Sequence, residues 1–442
     1  MDGVMSVNGD DSERYCAMSL CGGIHVTSAS NKTGPLLSHN ALHVLFQDAQ
    51  IKSNILDGYK AHKYLLCLQG SISAKFMSGV FSNNEYDPRE EASNSVRALM
   101  AVHESAKLQC LNCSFIGNDG AGVLNVLGDA LISQSNISGN SRSGFLSLDG
   151  DDNQVCGYMG AISVQKGAKL IVESSTFVGN LGGALCTNGE VNISDCLFQG
   201  NNGFEAGAGT RPSGVAFSRG EGGAIRGVDA PLRIKGTTFT ENSAVMGGAV
   251  AMRSSGSGSL YIEGCNFTKN YATMGGAVGA KYQLGPGNNL VEKHLRMHNT
   301  SIYGNQGVQG SAVYIQSQPC LLCAKALLVE IMDTFMGNNK ATDGTIYAEL
   351  GHFETLQLDH VAVHDNTASN RGGAVSAALG QESKVVLNQS NIDNNRCVNA
   401  LPAKCSNIAF RSVSAWHCKC FFQLGRRAYG SKQVTVLGQA AN

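Results

Sequence analysis

Apolar residues recur at alternate positions in short runs along most of this chain. Leu170 and Val172, Val191 and Ile193, Leu232 and Ile234, Leu260 and Ile262, Leu295 and Met297, Leu356 and Leu358, and Val385 and Leu387 form such pairs. A period of two predicts half-buried strands. Five residues after the second member of each pair comes a Phe, or an Ile or Val in its place, and three residues later an Asn. The Phe-led form stands at 81–84, 115–118, 177–180, 198–201, 239–242, 267–270 and 335–338, and the Ile- or Val-led form at 137–140, 302–305, 363–366 and 392–395. Before Phe335 the register slips, because Leu328 fits the pattern and Glu330 does not. The Phe lies at an odd offset from its apolar pair, so on one straight strand it would face the opposite way. To reach the same core the chain must bend in between, where Gly236 and Gly264 sit in two copies. The Asn is expected to close the element at a corner, since Asn tolerates the left-handed conformation.

A second signature, Gly-Gly-Ala followed by Leu, Ile or Val, supplies another permissive turn. Its glycines are Gly182 and Gly183, Gly222 and Gly223, Gly247 and Gly248, Gly275 and Gly276, and Gly372 and Gly373. After it, Val250 and Met252, Val278 and Ala280, and Val313 and Ile315 mark a third short strand. One repeat is therefore three short strands separated by corners, all burying one face. No copy can cover that face alone, and stacking copies buries it while pairing every backbone. The expected fold is all-β, a right-handed parallel β-helix (solenoid) with inserted loops near 141–158, 202–221, 281–293 and 316–326. Corner asparagines stacked from copy to copy would form a hydrogen-bonded ladder of Asn118, Asn180, Asn201, Asn242, Asn270, Asn305, Asn338, Asn366 and Asn395. The organisation reads as 1–75, degenerate opening rungs or a cap; 76–395, the repeat array; and 396–442, a Cys-rich C-terminal cap or tail.

The alternation of Gly-Gly-Ala-[Ile/Leu/Val] with Phe-x-x-Asn over about residues 76–395 resembles the repeat of the chlamydial polymorphic outer-membrane proteins. That family is similar in fold to the pectin-lyase-like β-helices. The resemblance implies an adhesive passenger region, which in the bacterial family is followed by a membrane β-barrel. Only about 45 residues follow Asn395, too few for eight strands of about 9–11 residues.

Composition narrows the function. Glycine, 54 of 442 residues, is about 12% against a usual value of about 7%, as the turns require. Lys+Arg 33 against Asp+Glu 34 gives a net charge of −1, which argues against a nucleic-acid partner. The 15 cysteines and the sequons beginning at Asn31, Asn112, Asn136, Asn192, Asn266, Asn299 and Asn388 lean towards an oxidising, extracellular or cell-surface setting. The first twenty residues contain no basic and apolar leader, so the expectation is a truncated gene model. No run approaches the ~18 apolar residues of a membrane helix.

Catalytic signatures are fragmentary in this chain. Arg233-Ile234-Lys235 and Gly150-Asp151-Asp152 match pieces of a polygalacturonase, but no histidine lies between His103 and His294, and Arg233 and Lys235 are the outward residues of a strand. Asp149 to Asn153 opens like a calcium loop, yet Gln154 stands where that loop needs Gly. Cys320 and Cys323, with Cys397, Cys405, Cys418 and Cys420, are candidates for disulfides or, as the alternative, metal ligation. Cys113, Cys196 and Cys265 each precede a repeat Phe by two residues and are expected inside as packed thiols. The chain thus reads as a non-catalytic structural or adhesive surface protein, without cofactor or bound metal. Its expected partners are cell-wall or matrix glycans or another surface protein. The alternative is a carbohydrate-active enzyme, a polysaccharide lyase or glycoside hydrolase, on the same scaffold.

Overall fold

The computed structural model describes residues 24–27, 42–53, 55–56, 64–69, 71–86, 98–120, 122–141, 160–203, 220–255, 258–283, 294–318, 327–398, 408–412 and 434–437. The chain divides into two compact units, Met1–Phe217 and Ser218–Asn442. Each is built from parallel sheets whose neighbouring strands come from successive turns of the chain, the topology of a right-handed parallel β-helix.

In the first unit, the first sheet runs through Tyr64–Gln69, Ala98–Val102, Gly122–Val126, Ile162–Val164 and Leu185–Thr187. The second runs through Ile72–Met77, Lys107–Leu111, Asp129–Ser133, Lys169–Glu173 and Glu190–Ser194, and the third through Val80–Ser82, Ser114–Ile116, Asn136–Ser138, Thr176–Val178 and Leu197–Gln199. Register is set by the core. Phe81, Phe115, Ile137, Phe177 and Phe198 stand directly above one another, and Phe177 stacks on Phe198 with ring centroids 4.5 Å apart, one strand spacing.

The second unit has the same three sheets. They are represented by Val250–Ser254, Leu260–Glu263 and Asn266–Thr268, each paired to the next turn in parallel. It also has a fourth, through Ser243–Met246, Tyr271–Met274, Gln306–Gln309, Lys340–Asp343 and Thr367–Arg371, where the first unit has the pair Ile55–Leu56 and Glu85–Tyr86. With this strand Asn242 to Asn270 spans 28 residues, whereas Asn180 to Asn201, without it, spans 21. Val434–Leu437 pairs antiparallel with Lys384–Asn388 in the second sheet, against the parallel sense of the ladders before it.

The bend between second and third sheets is uniform. Two residues join the strands in every described turn. The first has positive φ, as at Ser78, Asn112, Ser174, Asp195, Gly236, Gly264, Asn299 and His360. Glycine is thus the exception there, not the rule. The second is buried and polar or sulfur-bearing in most turns: Cys113, Ser135, Ser175, Cys196, Thr237, Cys265, Thr300 and Thr334. Its side chain donates to the carbonyl two residues back, as Ser135 does to Ser133 at 2.8 Å, Cys196 to Ser194 at 3.1 Å and Thr237 to Lys235 at 2.9 Å. It also accepts the backbone N–H of the equivalent residue one turn earlier, Cys113 to Ser135 at 3.0 Å and Ser135 to Ser175 at 3.0 Å. Serine, threonine and cysteine share this role because each carries a small group that both donates and accepts.

Two expectations at the next corner are corrected. The left-handed residue is the one before the closing Asn, such as Glu241, Lys269 or Asp365, and the Asn itself turns inward. The ladder residue of the fourth turn of the second unit is Asn339, not Asn338. There Val329 and Ile331 face the core, Met336 replaces the repeat Phe, and Phe335 points outward at 41% exposure. Asn338 fills the left-handed position, with φ 52°.

Candidate functional site

The asparagines form one column in each unit. In the first, Asn84, Asn118, Asn140, Asn180 and Asn201 donate Nδ2 to Oδ1 in order, at 2.8–3.0 Å. In the second, Asn242, Asn270, Asn305, Asn339, Asn366 and Asn395 do so at 2.9–3.1 Å. Each Oδ1 also accepts the backbone N–H of the preceding Asn, as Asn305 does from Asn270 at 2.8 Å. Each Nδ2 spends its second proton on a core carbonyl, as Asn270 does on Phe239 at 3.1 Å. An amide fully buried at Asn270 is therefore fully satisfied, which makes the column a structural element, not a reactive one.

The turn glycines serve the same stacking. Gly247 has φ 61°, and a Cβ on Gly248 would lie 2.2 Å from the carbonyl oxygen of Gly276 in the next turn. One glycine supplies the conformation and the other the clearance. Gly222, Gly275 and Gly372 have positive φ like Gly247, Gly223 and Gly276 approach the next turn like Gly248, and Gly182 and Gly183 both have positive φ. Cys320, Cys323, Cys405, Cys418 and Cys420 lie outside the described residues, as do Asp149 to Asn153. Arg233 and Lys235 are exposed on the second sheet, Arg233 over the Tyr261 ring at 5.6 Å. Among the described residues no group of three or more His, Cys, Asp or Glu could hold a metal ion. Among the described residues there is no helix long and apolar enough to cross a membrane.

The sheets differ on their outer faces. Outward side chains of the second sheet are mostly exposed or half-buried, whereas the first sheet is buried on both faces along Ala98–Val102 and Gly122–Val126. In the second unit the outward first-sheet positions carry charge and aromatic rings. One row is Arg226, Ala251, Gly279, Tyr314, Tyr347 and Ser376; the next is Val228, Arg253, Lys281, Gln316, Glu349 and Ala378. Glu221 enters beside them, its Oε1 2.5 Å from Arg253 Nη2 and its Oε2 3.2 Å from Arg226 Nε. Two guanidinium groups thus converge on one nearly buried carboxylate. Tyr314 and Tyr347 stack at 5.6 Å, the Tyr347 hydroxyl donates to Glu349 at 2.7 Å, and Gln316 donates to the other Glu349 oxygen at 2.9 Å. Among the described residues no side chain pairs with Lys281. Loss of solvent pushes its ammonium below its ordinary value, with Glu221 opposing and Arg253 adding to the shift.

This row escaped the sequence reading because Arg253, Lys281, Gln316 and Glu349 share no residue type. Only the paired register brings them together. The chain's irregular lengths all adjoin first-sheet strands in the sequence. Residues 142–159 and 204–219 precede the first-sheet strands Ile162–Val164 and Ile225–Val228, and residues 284–293 and 319–326 follow Val278–Tyr282 and Val313–Ser317. None interrupts the two-residue join between second and third sheets.

No protein-family model matches the chain, and no curated protein does. Among solved structures the chain is similar to PfbA, a surface adhesin of Streptococcus pneumoniae. The identity is 11% and the TM-score 0.39, over 91% of this chain and 93% of that one. A likeness at that TM-score carries no argument; the fold rests on the paired strands themselves.

Proposed function

We propose that the protein is a non-catalytic, adhesive surface scaffold that binds a partner through the outer face of its first sheet and the insertions flanking it. One observation carries the reading. Every long departure from the repeat adjoins a first-sheet strand in the sequence, and loops attached to a regular scaffold are where binding residues are commonly placed. An extracellular setting is supported by the outward, unburied positions of Asn112, Asn136, Asn192, Asn266, Asn299 and Asn388, all within sequons. The test is binding to arrays of matrix proteins, cell-wall glycans and intact cells, comparing the full chain with a variant whose residues 204–219, 284–293 and 319–326 are replaced by short Gly-Ser links. Binding lost with the β-sheet spectrum kept is the expected result. Equal binding by both proteins, or none by either, removes the reading.

A second reading, a carbohydrate-active enzyme, is favoured by the convergence of Glu221, Arg226, Arg253, Lys281 and Glu349 on one outer face. A desolvated amine loses its proton more readily and can serve as a general base. Its check is release of reducing ends or unsaturated uronates from a panel of polysaccharides. Turnover abolished by Lys281→Ala would establish catalysis, and no turnover on any polysaccharide would leave the scaffold reading alone.

A further inference from the structure

The turn that breaks the repeat also builds a groove, away from the first sheet. In the second unit, the left-handed corner between third and fourth sheets carries, turn by turn, Glu241, Lys269, Gly304, Asn338, Asp365 and Asn394. Gly304 leaves a gap in this column, since a Cβ there would meet nothing within 4 Å. The gap is the floor of a groove of about 400 Å³ whose walls include Lys269, Lys340, Tyr303, Gln306, Asn338 and Thr268. Asn338 Nδ2 donates to the Tyr303 hydroxyl at 3.3 Å and holds that ring in place.

An aromatic surface adjoins the groove. The third-sheet position that is Thr238, Asn266, Ser301, Ala362 and Asn391 in other turns is Phe335 here. Its ring lies over Gly337: a Cβ on that glycine would be 2.6 Å from Phe335 Cζ and 3.3 Å from Tyr303 Cδ2. On the other side the ring is 5.5 Å from that of His364. Tyr303 is 46% and Phe335 41% exposed. The core does not need this ring outside, because Met336 fills the inner position completely. Two exposed rings side by side form an apolar patch, where scattered single apolar residues would not.

The charges are one-sided. Lys340 has no ion-pair partner among the described residues, and Lys269 only touches the exposed Glu241 at 3.7 Å, a contact water largely screens. Two ammonium groups, amide donors from Gln306 and Asn338, and the Tyr303 ring therefore line one groove, with the Phe335 ring beside it across Gly337. Pyranose rings present C–H groups with partial positive charge, which suit the negative face of an aromatic ring. Acid groups on the sugar would suit the two lysines.

We infer that this groove binds a segment of an anionic polysaccharide, its sugar rings against Tyr303 and Phe335 and its acid groups between Lys269 and Lys340. The site is separate from the first-sheet face, so replacing the insertions leaves it intact. The test is titration of the full chain with oligomers of a polyuronate, of a sulfated galactan and of a neutral glucan, at low and physiological salt. Binding of one or both acidic oligomers, weakened by salt, with the neutral glucan at least tenfold weaker, is expected. The arm that binds distinguishes carboxylate from sulfate. Tyr303→Ala and Phe335→Ala each lower affinity about tenfold, and the double variant Lys269→Gln with Lys340→Gln lowers it similarly and flattens the salt dependence. These side chains are solvent-exposed, so unchanged melting temperatures separate lost binding from lost folding. No binding of either acidic oligomer, or variants that bind as the native chain does, overturns the inference.

Discussion

At the scale of single residues, the fold depends on polar groups hidden inside it. Replacing Asn270 by Ala removes the acceptor of the Asn242 backbone N–H and Nδ2 and the donor to the Phe239 carbonyl, all within the interior. Each unmet buried group costs about 1–3 kcal/mol, so a loss of roughly 3–5 kcal/mol is expected in chemical denaturation. Lys269→Ala, at the exposed neighbouring position, should change stability by less than about 1 kcal/mol. Cys196 gives a pH-dependent signature of the second ladder. Burial pushes its thiol from 9.0 up to about 11, against the hydrogen bond from Ser175. The folded chain therefore holds this proton where the unfolded chain releases it. Cys196 adds stability below about pH 9, and that contribution falls away as pH rises through about 11. Cys196→Ser should flatten the decline over that interval, and native Cys196 should resist alkylation at neutral pH.

At the scale of elements, the repeat is legible where the same residue type returns and illegible where only the chemistry does. The Phe, Gly-Gly-Ala and alternating apolar positions recur by identity, so the three strands can be read directly. The fourth turn of the second unit misleads because Phe335 imitates the core residue. Aligning Val329 and Ile331 instead leads to Met336 and Asn339. The buried joint residues escape notice because Cys113, Ser135 and Thr237 look unrelated, although all bond alike. The extra strand Ser243–Met246 is four residues long and of mixed character, below what a period of two can reveal. The invariant two-residue join makes an element-scale prediction. Three residues inserted between Gly236 and Thr237 would break both the left-handed bend and the buried hydroxyl contact, and should abolish soluble expression. The same insertion within 284–293 should leave the melting temperature within a few degrees. Soluble yield of the first protein and a thermal melt of the second decide the point.

For the whole molecule, each unit supplies its own core column and its own amide column, while the irregular lengths of chain adjoin first-sheet strands in the sequence. Chain inserted there can change in length without disturbing the register of the interior. The groove at Gly304 arises by a different route, from substitutions inside a regular turn. The two surfaces can be altered independently, and the variants above should show separable losses.

The reversed strand Val434–Leu437 has a consequence for self-association. A parallel stack that ended on a bare turn would offer the next molecule the same hydrogen-bonding edge that each turn offers its successor, the condition for cross-β growth. An antiparallel partner on Lys384–Asn388 occupies that edge in one sheet with the wrong polarity for continued templating. Deleting residues 399–442 should leave a chain that stays folded when dilute but elongates into thioflavin-positive filaments as its concentration rises. Scattering that is independent of concentration would show that the reversed strand has no such part in keeping the molecules apart.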